Sequence, residues 1–239
     1  MFSVRKISLA VALAAAPFLA TAQDYQFEVK ANYANTEVES SDFDVTTLAG
    51  TFYWNQVSTA GHPLAEAAFL ERQGGLTVSY LNVENFDVWG LEADHYFDSG
   101  LYLAGRYNMP EEGDNTFGAS IGFSPAAGLL FVLDADDDSE DINYAGRVKY
   151  VGDLQGDAAF GLEAGVAEDT VSISGDYFFN RQFSIGAEIV NDSDIDYTLL
   201  GVEAKYFIAP NFWAGAGVGT NVSGDADTTV WQIEAGLRF

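Results

Sequence analysis

Only two imidazoles are available for acid–base or nucleophilic chemistry, His62 and His95. Outer-surface hydrolases of the barrel type pair such a histidine with Asp, Ser or Asn. His95 alternates in step with Trp89, Leu91, Ala93 and Phe97, so it belongs to an apolar strand face, and Asp94 points to the other side. His62 precedes Pro63 in a connecting segment, and nothing further in the sequence supports a catalytic role for it. Sequence spacing leaves open only a Ser–His pair assembled across strands, and a histidine at a membrane interface is the simpler reading. The chain has no cysteine, which removes thiol nucleophiles, thiolate metal sites and disulfide scaffolds together. An enzyme is therefore not expected.

Carboxylates are the other candidates. Asp192, Asp194, Asp196 and Glu203 occupy ligand positions 1, 3, 5 and 12 of an EF-hand loop, but position 6 is Tyr197 where glycine is needed. The run from Asp134 to Asp141 also lacks the glycine and the terminal glutamate. Both read as solvated loops without a resident cofactor, although closely spaced carboxylates suit loose association with Ca2+ or Mg2+.

These carboxylates belong to a strong imbalance. The 239 residues carry 36 Asp and Glu against 10 Lys and Arg, a formal net charge of −26. A nucleic-acid binder needs clustered cations and is excluded. Disorder needs low hydrophobicity, whereas 48% of this chain is apolar.

The amino terminus has the three parts of an export signal in order. Arg5 and Lys6 precede an apolar run from Ile7 to Ala16, and Ala20-Thr21-Ala22 offers an A-x-A cleavage site before Gln23. Residues 1–22 are the expected signal peptide and 23–239 the exported domain. Losing Arg5 and Lys6 leaves 8 basic against 36 acidic residues, a net charge of −28. No later apolar run is long enough for a membrane helix, so the exported domain is soluble or crosses a membrane as strands.

Alternation decides between these. In the last segment Thr229, Trp231, Ile233, Ala235, Leu237 and Phe239 share one face and Gln232, Glu234 and Arg238 the other. Tyr25, Phe27, Val29, Ala31 and Tyr33 oppose Gln26, Glu28, Lys30 and Asn32 in the first. Similar ladders recur throughout, with less regular strands near 43–54, 76–84, 101–108, 129–135 and 212–220. The pattern predicts a transmembrane antiparallel up-and-down β-barrel of about 14 strands, with 12 as the alternative. Its apolar face meets lipid, and aromatics at strand ends, Tyr25 among them, form interfacial girdles. A soluble sandwich or lipocalin-like barrel would bury that face instead.

The polar face then lines a lumen. It carries Glu28, Glu92, Asp94, Glu163, Asp176, Glu188, Glu203 and Glu234, against Lys30, Arg106, Arg147, Lys149, Lys205 and Arg238. The excess of acid predicts weak cation preference. Joins after even-numbered strands are short turns, as at Asp98-Ser99-Gly100 and Asn180-Arg181-Gln182, while most others are more acidic. Short periplasmic turns and acidic extracellular loops follow if both termini lie in the periplasm. One even join is long, from Asn55 to Gly75. Pro63 and the Ala/Leu/Glu run after it predict a short helix near 63–72 at the periplasmic mouth, unless 66–72 merely begins the next strand.

Four features together resemble the "putative porin" outer-membrane proteins of gammaproteobacteria: the export signal, the opening Asp24-Tyr25-Gln26-Phe27-Glu28, the segment from Val57 to Leu70, and the closing Phe239. The resemblance spans the whole exported chain, and its middle segment is the most specific part. It implies an outer-membrane channel of a Gram-negative bacterium for passive diffusion of small hydrophilic solutes. The alternative is a closed structural or surface barrel. Expected partners are outer-membrane lipid and lipopolysaccharide, the permeating solutes and, during biogenesis, the barrel-assembly machinery. Trp231, Ile233, Leu237 and Phe239 resemble the carboxy-terminal signal which that machinery reads.

Overall fold

A computed structural model of the chain describes residues 24–38, 41–84, 86–137, 141–224 and 227–239. The leader with Ala20, Ala22 and Gln23 lies outside these residues, as do Glu39, Asp138, Glu140 and Asp225. Fourteen strands follow one another: β1 Asp24–Val38, β2 Ser41–Ser58, β3 Gly75–Val83, β4 Phe86–Tyr96, β5 Leu101–Pro110, β6 Thr116–Ala126 and β7 Leu129–Asp137, then β8 Ile142–Asp153, β9 Ala159–Ala167, β10 Thr170–Phe178, β11 Phe183–Asp192, β12 Tyr197–Ala209, β13 Phe212–Asn221 and β14 Thr228–Arg238. Each pairs antiparallel with its neighbours in sequence, and β1 closes on β14 from Glu28↔Arg238 to Val38↔Thr228. Closure leaves no open sheet edge, the condition for placing strands in hydrocarbon. The less regular strands expected near 43–54, 76–84, 101–108, 129–135 and 212–220 are all present.

The alternation sorts the two faces. Phe117, Ile121, Leu133, Leu162, Ile173 and Val202 are all more than half exposed on the outside. Two belts of aromatic contacts bound this surface. Tyr33–Trp231, Tyr80–Trp89 and Tyr107–Phe117 pack with ring centroids 4.7–5.4 Å apart at one end. Phe27–Phe239, His95–Phe97 and Phe179–Phe183 pack at the other, with centroids 4.6–6.1 Å apart. That second end, where β1 begins and β14 ends, is the periplasmic end of the expected orientation. Its turns are tight: Gly100 takes a φ of +86° and donates its N–H to the Phe97 carbonyl at 2.9 Å.

Tyr25 departs from the expected girdle. The backbone N–H groups of Gln26 and Phe27 both donate to the Phe239 carbonyl, at 2.7 and 3.1 Å, and the pairing with β2 shifts between Tyr25 and Phe27. Two residues opposing one is a β-bulge, and it reverses the alternation before it. Tyr25 therefore turns into the barrel and is 4% exposed, against 39% for Phe27.

Candidate functional site: the barrel lumen and its plug

The long join after β2 folds into the periplasmic mouth. Pro63, with φ −53° and ψ 128°, leads into a 3-10 turn Leu64–Glu66 and then a single α-turn, α1, Ala67–Leu70. The expected helix is thus one short α-turn extended by 3-10 structure, and the strand alternative for 66–72 does not occur, since β3 starts at Gly75. The N–H of Gln73 reaches back to the Ala68 carbonyl at 2.9 Å while Arg72 takes a φ of +51°. This is a Schellman-type stop with arginine where glycine is usual.

Apolar side chains from widely separated strands receive this segment. Leu64 packs with Phe207 of β12 and Trp213 of β13. Ala67 packs with Tyr25, Tyr53 and Val57 of β1 and β2, and Phe69 against Tyr102, Leu130 and Val132 of β5 and β7. The residues around Leu64 and Ala67 and those around Phe69 stand on well-separated parts of the wall, so the segment lies across the mouth as a plug.

Polar ties reinforce the seat. Lys149 of β8 pairs with Glu66 at 2.9 Å and stands 5.0 Å from the centroid of the Phe69 ring. Arg238 of β14 donates to the Leu64 carbonyl at 2.8 Å. Arg181, in the turn after β10, donates to the carbonyls of His62, at 3.0 Å, and Thr59, while its own carbonyl accepts from Leu64 N–H at 2.8 Å. Arg72 reaches the Ser124 carbonyl at 3.3 Å. His62 Nε2 lies 2.7 Å from Glu71 Oε1 within the plug.

Above the plug the inner wall divides by charge. On one side Arg106 of β5 bonds to both oxygens of Asp136 at 2.9 Å, to Asp134 at 3.2 Å and to the Ser120 hydroxyl at 2.7 Å, and Arg147 reaches Asp134 at 3.4 Å. Asp134 and Asp136, expected in an acidic loop region, are therefore inner-wall residues of β7. On the other side Asp176, Glu188 and Glu203 stand on β10, β11 and β12 around a cavity of about 200 Å3, shared with Gly201, Gly217 and Gln232. These three carboxylates have no hydrogen bond or ion pair with a described residue. Asp176 and Glu188 lie over glycines of the next strand, and Glu203 lies near Gly186 of the preceding one. A Cβ on Gly186 would come within 2.6 Å of Asp176 Oδ1, and one on Gly201 within 2.8 Å of Glu188 Oε1.

The remaining expected lumen residues take several places. Glu28 and Arg238 are buried, 1% and 4% exposed, in an ion pair against the plug, and Lys30 reaches Glu28 at 3.4 Å. Asp94 accepts from Gly75 N–H at 3.0 Å. Glu92 stands opposite Arg106, and Glu163 opposite Lys149, in the strand registers. Lys205 pairs with Glu234 at 3.1 Å and stacks over Trp213 at 4.8 Å.

Of the expected assembly residues, Trp231, Ile233 and Phe239 are exposed on the outer wall and Leu237 is nearly covered. Phe239 also donates to the Phe27 carbonyl at 2.8 Å, which ties the chain end to β1. His95 faces outward edge-on to Phe97. The two acidic runs form no group of three or more metal-ligating side chains among the described residues. In one of them Asp192 Oδ1 accepts from Asp194 N–H at 3.1 Å.

Sequence reading missed the plug's receptor. Tyr53, Tyr102, Leu130, Val132, Phe207 and Trp213 all stand on the polar parity of their strands, close to the periplasmic ends. That lapse of the polar pattern is the signal that could have found it.

The family described as "Putative general bacterial porin" matches residues 4–134, more than half the chain. The chain belongs to this family. Among solved structures, the porin is similar to the outer membrane protein Omp33 of Acinetobacter baumannii, with a TM-score of 0.80 at 25% identity over 91% of this chain and 99% of that one. A triple mutant of the porin from Rhodopseudomonas blastica shares the barrel at a TM-score of 0.51 and 12% identity, over 89% and 99% of the two chains. No curated protein sequence matches it.

Proposed function

We propose that this porin is an outer-membrane channel through which small hydrophilic solutes diffuse passively, with weak preference for cations. The observation that carries the preference is the unequal pairing on the inner wall. Arg106, Arg147, Lys149, Lys205 and Arg238 each have a carboxylate partner, whereas Asp176, Glu188 and Glu203 line their cavity without one. Unpaired carboxylates in a confined lumen raise the local concentration of cations. The plug narrows the periplasmic mouth, so passage depends on its yielding. Lipid and lipopolysaccharide surround the outer wall in this reading, the assembly machinery recognises the strand ending at Phe239, and any divalent cation at the outer loops is loosely held.

The test is the zero-current potential of the purified protein in a planar bilayer under a KCl gradient. A potential of the sign set by K+ supports the reading, and one set by Cl− contradicts it. A closed structural barrel is the second reading, favoured by the apolar seat of the plug, and it predicts no conductance steps at any voltage.

A further inference from the structure

The plug is tied most deeply to the two strands whose meeting completes the barrel. Glu28 of β1 and Arg238 of β14 are direct partners in the β1–β14 register and form an ion pair at 2.7 Å. Their side chains are 1% and 4% exposed. Trp213 Nε1 donates to Glu28 Oε1 at 3.2 Å and the Tyr53 hydroxyl to Glu28 Oε2 at 3.1 Å. The guanidinium lies between the rings of Tyr25 and Phe207, 4.4 and 4.7 Å from their centroids. Its Nη1 donates to the Leu64 carbonyl of the plug at 2.8 Å.

We propose that Glu28 and Arg238 form a latch that seats the plug only after the first and last strands have joined. Three features support this order. A guanidinium stripped of water needs its carboxylate, so Arg238 occupies the plug's binding position only when Glu28 is beside it. The two residues lie 210 positions apart in sequence and become neighbours only through β1–β14 pairing. Finally, the rings of Tyr25 and Phe207 that hold the guanidinium belong to the same apolar clusters that receive Ala67 and Leu64. Arg238 is thus a positioning residue: completing the barrel wall also completes the plug's seat.

The absence of cysteine from the chain provides the test. Ala67 belongs to the plug and is 0% exposed, so Ala67→Cys introduces a single thiol that reports seating. The full exported chain is refolded into detergent micelles. Barrel closure is followed by the faster migration of unheated protein on a gel, and seating by protection from a charged maleimide. Protection is expected together with the gel shift or after it. Protection before the shift overturns the proposal, and this arm needs no change at Arg238. Adding Arg238→Ala should preserve the gel shift and speed labelling at least tenfold, and labelling as slow as in the parent also overturns it. If Arg238→Ala fails to fold, Arg238→Lys keeps the charge but loses the planar stack and fork, and should label at an intermediate rate. Unchanged protection there counts against the latch. The labelling arms are independent of transport. The conductance arm rests on the proposed channel: a released plug with no gain in conductance would contradict that function and leave the latch standing.

Discussion

Lys149 on β8 reaches Glu66 of the plug, Nζ to Oε2 at 2.9 Å, and holds its ammonium over the ring of Phe69. In a barrel of fourteen strands, β8 stands across the lumen from β1. The plug is therefore fastened on both sides: by this pair and by Arg238.

Weakening the Lys149 side should loosen the plug without harming the wall. The pair is partly exposed, 30% and 12%, so it contributes about 1 kcal/mol together with the cation–π contact. Lys149→Ala is expected to raise the open fraction of the channel about fivefold in single-channel records, while Glu66→Gln gives a smaller rise. The double variant should add little to Lys149→Ala, because both changes remove one interaction.

The glycines beneath the acidic wall set the width of the lumen. A side chain at Gly201 meets Glu188 at Oε1 and Cγ, 2.8 and 2.9 Å away, and must push it inward. Gly201→Val is expected to lower unit conductance and to destabilise the barrel by about 1–3 kcal/mol. Unit conductance equal to that of the parent would mean that ions do not pass this wall.

Neutralising the unpaired carboxylates should act on selectivity alone. Asp176→Asn, Glu188→Gln and Glu203→Gln together are expected to move the zero-current potential toward zero while leaving the folded gel band unchanged. The parent's preference should itself shrink at about 1 M salt, where screening is short-ranged. A potential unaffected by the triple change would place the selective charges elsewhere.

Arg106 serves structure as well as charge. Asp134 is 9% exposed and relies on Arg106, Ser120 and Arg147. Arg106→Ala leaves that carboxylate under-compensated and should cost up to about 3–5 kcal/mol in urea unfolding. Arg106→Met with Asp134→Leu should recover most of the loss, because no buried charge then remains.

The wall was legible from sequence because lipid enforces alternation on every strand, and even the irregular stretch at 212–220 obeyed it. The plug was legible in kind from Pro63 and the Ala/Leu/Glu run, but its shortness was not. Its ends are set by contacts with Phe207, Trp213 and Tyr102, which belong to strands far away in the chain. Tyr25 was misplaced because a bulge at Gln26 depends on what Phe239 offers across the seam. The pairing of Arg106 with Asp134 and Asp136 was hidden for a similar reason: acidic runs look alike in sequence, and only strand register separates an inner-wall carboxylate from a loop one. The latch shows the same limit, since Glu28 and Arg238 read as two more lumen charges until β1 and β14 are joined.

The proposed channel is a water-filled lumen narrowed at one end by a displaceable plug. Single-channel recording of the porin beside a variant in which residues 62–72 are replaced by a short Gly-Ser loop tests this most directly. Discrete steps in both proteins are predicted, with larger and longer openings in the variant and an unchanged folded gel band. A correctly folded variant that shows no steps at any voltage would contradict it.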